Sequence, residues 1–384
     1  FCAFFFNLTA SCLRDQTFLH SGARLEQALL TNGGVSWQEF LTVHQLDSIY
    51  RRLYMGLNYR LRTFAGGRYA ASCRPTSIVI ALTERCNARC IHCDIWKNKG
   101  VESSPGFAGW QSVLKDLRAW LGPVPVVISG GEALLKKYAV ELLEYGCKLG
   151  LFMELLTNGF WDDQSRFEKI ALANPGRVTF SFDGIGEAHN LIRGRENFFD
   201  KTSNCIRTLT QVRDENRLNF AIRLKTVVME QNLNDVCKVA EYAAANKLEV
   251  FYQPIEQNYN TEEDPTWFER SETWPRDADR AVAVVEELIQ LKQRGFPIAN
   301  SSRQLEAMVP YFRDPARQRV ATQSHSAHEK QLLCSALTTL QIQANGGVTV
   351  CTRQREIGNI TETPIREIWE NRPQFWSEGC CLVG

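Results

Sequence analysis

Three cysteines, Cys86, Cys90 and Cys93, stand in the run Ala81-Leu-Thr-Glu-Arg-Cys-Asn-Ala-Arg-Cys-Ile-His-Cys93, with three residues between the first pair and two between the second. Three thiolates on one loop can hold three irons of a cubic 4Fe–4S cluster and leave the fourth iron without a protein ligand. An open iron binds a small molecule, as the open position of a catalytic zinc does. Two plainer readings stand beside this one. A zinc site normally shows two Cys-x-x-Cys or Cys/His pairs well apart; no second pair lies nearby, although His92 and Asp94 are conceivable extra ligands. Buried core thiols are the other, but polar Asn87, Arg89 and His92 between the cysteines suit a loop better than a core strand.

The elements that must position these cysteines follow a strand–helix alternation. Strands are expected at 77–82, 125–129, 151–156, 178–182, 219–228 and 249–253, with helices at 107–121 and 134–147 and further helices between the later strands. Repeated βα units imply a parallel sheet with right-handed crossovers. Six of them predict an α/β fold, a partial (β/α)6 barrel. In αβ barrels the active site lies at the carboxyl ends of the strands. The cysteine run, Ser129-Gly-Gly-Glu132, Thr157-Asn-Gly159 and Ser181-Phe-Asp-Gly184 all fall at such ends, which groups them into one site.

Around the barrel, residues 36–63 read as a helix with Leu41, His44, Ile49, Leu53 and Leu57 near one face. Arg60, Arg62, Arg68 and Arg74 follow among aromatic residues. An amphipathic lead-in with its arginines in water explains them better than an RNA contact. Residues 256–276 are polar, with Pro265 and Pro275, and read as a linker or lid near the barrel mouth. Helices are expected at 278–294 and 302–312, a connecting loop at 316–331, and a hairpin of strands 339–343 and 348–351. The expected division is therefore an N-terminal helical extension (1–75), the barrel (76–255), a linker with helices (256–330) and a small C-terminal domain (331–384). The chain begins on Phe1 with no Met before Met55, so its start is uncertain.

Composition sets outer bounds. The chain has 384 residues, 44% hydrophobic and 23% charged, as a globular protein does. A net charge of +1 gives no global attraction to nucleic acid or membrane. The apolar start, residues 1–6, is too short to span a bilayer and lacks a basic leader. The 13 cysteines cluster in two places rather than spreading as a disulfide scaffold, which points to metal and to a reducing, cytoplasmic location.

Taken together, the cysteine run, Gly130-Gly131-Glu132, Ser181-x-Asp183-Gly184 and Arg193 in Ile-Arg-Gly resemble the radical S-adenosylmethionine (radical SAM) superfamily from Ser77 onward. The resemblance implies Cys86, Cys90 and Cys93 as cluster ligands and S-adenosylmethionine as the molecule on the open iron. It implies cofactor contacts at Gly130, Gly131, Glu132 (to the methionine ammonium), Ser181, Asp183, Arg193 (to the methionine carboxylate) and His92, which stands where the family has an aromatic residue and would stack on the adenine. Ala133 replaces the family's frequent Pro. The expected reaction is reductive cleavage to a 5′-deoxyadenosyl radical that takes hydrogen from a substrate carbon. An electron donor such as flavodoxin or ferredoxin is expected to feed it.

A second cysteine group, Cys334, Cys351, Cys380 and Cys381, with Gly346, Gly358-Asn359 and Ile368-Trp369, resembles the family's SPASM/Twitch extensions that hold auxiliary iron–sulfur clusters. Four cysteines suffice for one auxiliary cluster. Its fourth ligand stays open between Cys381, a downstream cysteine and substrate, and zinc is the alternative metal. The remaining cysteines read as core or incidental thiols. The substrate is either a peptide or protein undergoing modification or a small metabolite undergoing dehydrogenation. The alternative from another class is a non-enzymatic iron–sulfur electron carrier or redox sensor.

Overall fold

The computed structural model describes residues 43–63, 72–98, 103–258, 261, 264–315, 337–351 and 355–372. After helix α1 (Val43–Thr63), strand β1 (Ser77–Ala81) leads into the cysteine loop. The chain then alternates through α2 (Gly106–Leu121), β2 (Pro125–Ser129), α3 (Ala139–Lys148), β3 (Phe152–Thr157), α4 (Gln164–Leu172), β4 (Arg177–Ser181), α5 (Glu187–Arg193), α6 (Phe198–Glu215), β5 (Ala221–Val228), α7 (Val236–Ala245) and β6 (Glu249–Pro254). Each adjacent pair from β1 to β6 is parallel and in sequence order. This is the expected partial barrel.

The strands are short apolar runs because helices cover them. Ile78, Ile80, Val126, Ile128, Leu155 and Phe180 are buried. On α2 the buried residues Trp110, Val113, Leu114, Leu117 and Leu121 recur at three- and four-residue steps, one apolar stripe against the sheet. Gly122, at φ 77°, ends that helix by returning its N–H to Arg118 O.

Downstream lie α8 (Trp267–Arg270), α9 (Ala278–Gln293), α10 (Ser302–Glu306), α11 (Met308–Arg313), β7 (Thr339–Ile342), β8 (Gly347–Thr349), β9 (Gly358–Asn359) and α12 (Ile365–Glu370). The expected hairpin is present as β7 and β8, and it continues the barrel's own sheet. β7 pairs in parallel with β1, Ser77 opposite Thr339 and Val79 opposite Gln341, and β8 and β9 follow antiparallel. The sheet order is β6-β5-β4-β3-β2-β1-β7-β8-β9.

Three expectations shift. The helix expected at 134–147 is a 3-10 turn at Ala133–Leu135 followed by α3, because the Glu132 carboxylate captures the Leu134 N–H. The helix at 302–312 divides at Ala307, since Pro310 has no N–H for the Glu306 carbonyl. On α1 the supposed core face is outward: Ile49, Leu53 and Leu57 are 44%, 69% and 59% exposed. The buried residues are Tyr54, whose hydroxyl donates to Pro75 O at 2.6 Å, and Asn58, whose Oδ1 accepts from Arg74 N at 2.7 Å. Polar anchoring, not an apolar stripe, holds this helix. Leu41, Arg68 and the 316–331 loop lie outside the described residues. No described helix is long and apolar enough to cross a membrane.

The C-terminal segment is docked through Trp369, which is 1% exposed. Its indole Nε1 donates to Cys73 O at 3.0 Å, it meets Trp120 edge-on, and the Arg372 guanidinium lies over it at 3.9 Å. Trp369→Ala is expected to cost about 3–5 kcal/mol in urea denaturation, the range for a buried tryptophan. A loss near that of a surface change, about 0.5 kcal/mol, would mean that this segment is not docked in solution.

Candidate functional site

The cysteine loop is fastened by its backbone on two sides. Gly131 N donates to Thr83 O at 2.7 Å and Glu132 N to Arg85 O at 2.9 Å. Opposite, Arg89 N donates to Arg193 O and Ile91 N to Ile192 O, both at 3.0 Å. Main chains approach this closely only where no side chain intervenes. A Cβ on Gly131 would overlap Arg85 O, and one on Gly194 (φ 67°) would overlap Arg89 O. The glycine pair was expected to admit a ligand. Gly130 and Gly131 do line the cavity, but their tightest neighbour is the cysteine loop itself.

Cys86, Cys90 and Cys93 line one cavity of about 460 Å³ at the strand ends, backed by Ala88 and by the stacked rings of Phe160 and Phe198. Burial pushes Cys86 up to about 12, Cys93 up to about 11 and Cys90 upward, and for Cys86 and Cys93 neighbouring thiols push the same way. Such thiols keep their protons until a metal displaces them. None is in a disulfide. Among the described residues no three His, Cys, Asp or Glu groups converge on a single ion. Three thiols that face one cavity without meeting at a point suit a cluster, one cysteine per iron, better than zinc.

His92 lines the cavity as expected, and its Nδ1 has no hydrogen-bond partner among the described residues. Burial lowers its pKa to about 4, so the ring is neutral at pH 7. Ser181 also lines the cavity.

Glu132, Asp183 and Arg193 already have partners within the chain. The Glu132 carboxylate is 1% exposed and is not part of the cavity wall. Its Oε1 accepts from Leu134 N and Thr157 Oγ1 at 3.1 and 2.9 Å, and its Oε2 from Asn158 N at 2.7 Å. It ties the end of β2 to the end of β3 because those buried amides need an acceptor. Burial raises its pKa, against the hydrogen bonds it accepts. Asp183, fully buried, does not face the cavity. Its Oδ1 accepts from Val227 N at 2.8 Å and its Oδ2 lies 2.5 Å from Arg193 Nη2. Arg193 therefore lines the cavity with one nitrogen already paired, since a buried cation requires an anion. Burial opposes its charge, and Asp183 and Cys90 outweigh that, leaving its pKa raised.

Further residues line or support the cavity. Asn158 lines the cavity and donates Nδ2 to Asn87 Oδ1 at 2.7 Å and to Cys86 Sγ at 3.7 Å. Its signal was its place at the end of β3, in Thr157-Asn-Gly159. His189 Nδ1 accepts from Asp183 N, and Asn232 Nδ2 donates to Asp183 O, so both hold the Asp183 turn. No sequence pattern marks these two. Gln253, at the end of β6, is 8% exposed and lines the cavity with Oε1 unpartnered among the described residues.

The outer wall is rich in amides and acids: Gln257, Asn258, Gln341, Gln343, Asn345, Glu84, Glu256 and Glu356. The β7–β8 hairpin thus faces the end of β6 across the cavity. Among the described residues of the expected lid, the first ones, Glu256, Gln257 and Asn258, reach this wall. Farther on, Trp267 and Trp274 pack together, and Trp274 packs on Tyr311 and Phe312. Of the second cysteine group, Cys351 is half-buried, and Cys334, Cys380 and Cys381 lie outside the described residues.

Gly131→Ala is expected to displace the cysteine loop. Iron bound after anaerobic reconstitution should fall well below the wild-type content while far-UV circular dichroism stays unchanged. Full iron content in that variant would show the close contact to be dispensable.

Comparison with known proteins agrees with this geometry. Residues 80–243 match the family model described as the radical SAM superfamily, and residues 334–376 match SPASM, an iron–sulfur cluster-binding domain. The AdoMet-dependent heme synthase of Methanosarcina barkeri is 28% identical over 315 residues, 78% of this chain and 84% of the relative. The sporulation killing factor maturation protein SkfB of Bacillus subtilis is 28% identical over 173 residues, covering 44% of this chain and only 40% of its own length. The crystal structure of Streptococcus suis SuiB bound to S-adenosylmethionine has the same fold, with TM-score 0.61 at 15% identity, over 94% of this chain and 77% of that one. The two domains bring their cofactors with them, a 4Fe–4S cluster with S-adenosylmethionine and a further iron–sulfur cluster. A radical SAM domain therefore spans residues 80–243 of this chain and a C-terminal SPASM domain residues 334–376.

Proposed function

We propose that this radical SAM enzyme holds its 4Fe–4S cluster on Cys86, Cys90 and Cys93 and uses S-adenosylmethionine to take hydrogen from a peptide substrate. The observation that carries the reading is the meeting of the three thiols with Gly130, Gly131, Ser181 and His92 in one cavity at the strand ends. When bound, the cluster supplies the electron that cleaves the S-adenosylmethionine sulfonium reductively. The chain supplies placement. The three cysteines would ligate three irons and leave the fourth open. The Gly130–Gly131 backbone presents no side chain against the bound molecule. Neutral His92 can face adenosine without repelling the sulfonium cation. In the C-terminal domain Cys351, with Cys334, Cys380 and Cys381, would serve the auxiliary cluster.

The wall chemistry supports a peptide. Side-chain amides offer a donor and an acceptor each, which suits peptide groups that carry both. The SkfB likeness points the same way: that protein is named for maturation of a killing factor. A second reading rests on the longer match to the heme synthase, which covers most of both chains. Haem carries propionates, however, and Glu84, Glu256 and Glu356 on the wall would repel them.

Two measurements decide. Anaerobically reconstituted protein, reduced with dithionite and given S-adenosylmethionine, is expected to form 5′-deoxyadenosine, and Cys86→Ala to abolish it. A reducible cluster that forms none, even with cell extract added, would favour an electron-transfer or sensing role. Titration with an iron porphyrin is expected to leave the Soret band where it lies in buffer. A saturable shift at micromolar protein would turn the substrate reading to tetrapyrroles.

A further inference from the structure

Among the described residues, two side-chain N–H groups end on sulfurs of the Cys86–Cys93 loop. Asn158 Nδ2 lies 3.7 Å from Cys86 Sγ, and Arg193 Nη1 lies 3.5 Å from Cys90 Sγ. Asn158 is 5% exposed and Arg193 6%. Both are held from behind. Asn158 Oδ1 accepts from Phe160 N at 2.8 Å, and its backbone N–H is taken by Glu132. Arg193 Nη2 is paired with Asp183, itself fixed by Val227 N. The two donors therefore keep their aim whatever the cavity holds.

The potential of an iron–sulfur cluster responds to hydrogen bonds on its sulfurs and to local net charge. Adding one electron increases the negative charge on the sulfurs, so an N–H···S bond favours the reduced state. Asp183 offsets part of the charge of Arg193, and the guanidinium acts on Cys90 through both that charge and its directed N–H. We propose that Asn158 and Arg193 tune the cluster, raising its reduction potential through N–H···S bonds to Cys86 and Cys90. Arg193 then acts on the cluster's cysteine and not as the anchor of the methionine carboxylate. This rests on the proposed ligation by the three cysteines.

The test is an EPR-monitored redox titration of the reconstituted full chain. Asn158→Ala removes one donor. Asp183→Asn with Arg193→Met removes the other while deleting both buried charges together. Each is expected to shift the one-electron equilibrium toward the oxidised cluster by about tenfold, about 59 mV. Exchange into D2O is also expected to give deuteron couplings in the reduced wild-type spectrum that weaken in each variant. This second signal reads the contacts in unsubstituted protein even where a variant assembles no cluster. Unchanged midpoints in cluster-loaded variants, or no exchangeable couplings in the wild type, would overturn the tuning role. A wild-type chain that assembles no 4Fe–4S cluster would instead remove the ligation on which it rests.

Discussion

The site depends on a backbone clamp around the cysteine loop. The turn after β2 grips residues 83–85 and the end of α5 grips residues 89–91, each through two main-chain hydrogen bonds. Glycine at 131 and at 194 permits both contacts. A loop carrying three cysteine thiols, one buried and two half-buried, has little reason to stay compact by itself. Held on both flanks, it keeps the thiols on one cavity wall. The parallel order of β1, β2 and β4 brings both halves of the clamp to the same end of the sheet.

Charge inside the barrel is handled by pairing. Arg177 meets Glu154 across β3 and β4, Arg223 meets Glu249 across β5 and β6, and Arg193 meets Asp183 near the mouth. Lys225 lies deeper, its pKa lowered to about 8 by burial against the pull of Glu154, Glu256 and Asp183. A buried pair such as Arg193–Asp183 contributes little net stability but penalises any arrangement that leaves one member alone. The Asp183–Arg193 pair therefore holds a guanidinium beside Cys90 without leaving an uncompensated charge. The same economy explains Glu132, whose carboxylate joins two strand ends.

The C-terminal hairpin extends this frame. By pairing β7 with β1 it brings Gln341, Gln343 and Asn345 to the cavity rim opposite the end of β6. Trp369 and Arg372 lock the following helix onto Cys73. The SPASM segment is thus both an iron–sulfur module and part of the cavity wall.

By itself the sequence determined the likeness to radical SAM and SPASM domains, the order of βα units and the strand ends at which the cavity lies. Those signals are local: thiols at short spacing, apolar runs of strand length, glycines at strand ends. Residues Pro125–Ser129 and the Cys86–Cys93 loop were legible for that reason. Tertiary structure alone decided what the charged residues do. Glu132, Asp183 and Arg193 each find partners at least 10 residues away or on another strand, and a one-dimensional motif records the residue but not its partner. It also decided that β7 pairs with β1, since a parallel pairing across more than 250 residues leaves no periodicity to read. Asn158, Gln253 and the exposed face of α1 belong to the same class: their roles come from what lies beside them in space.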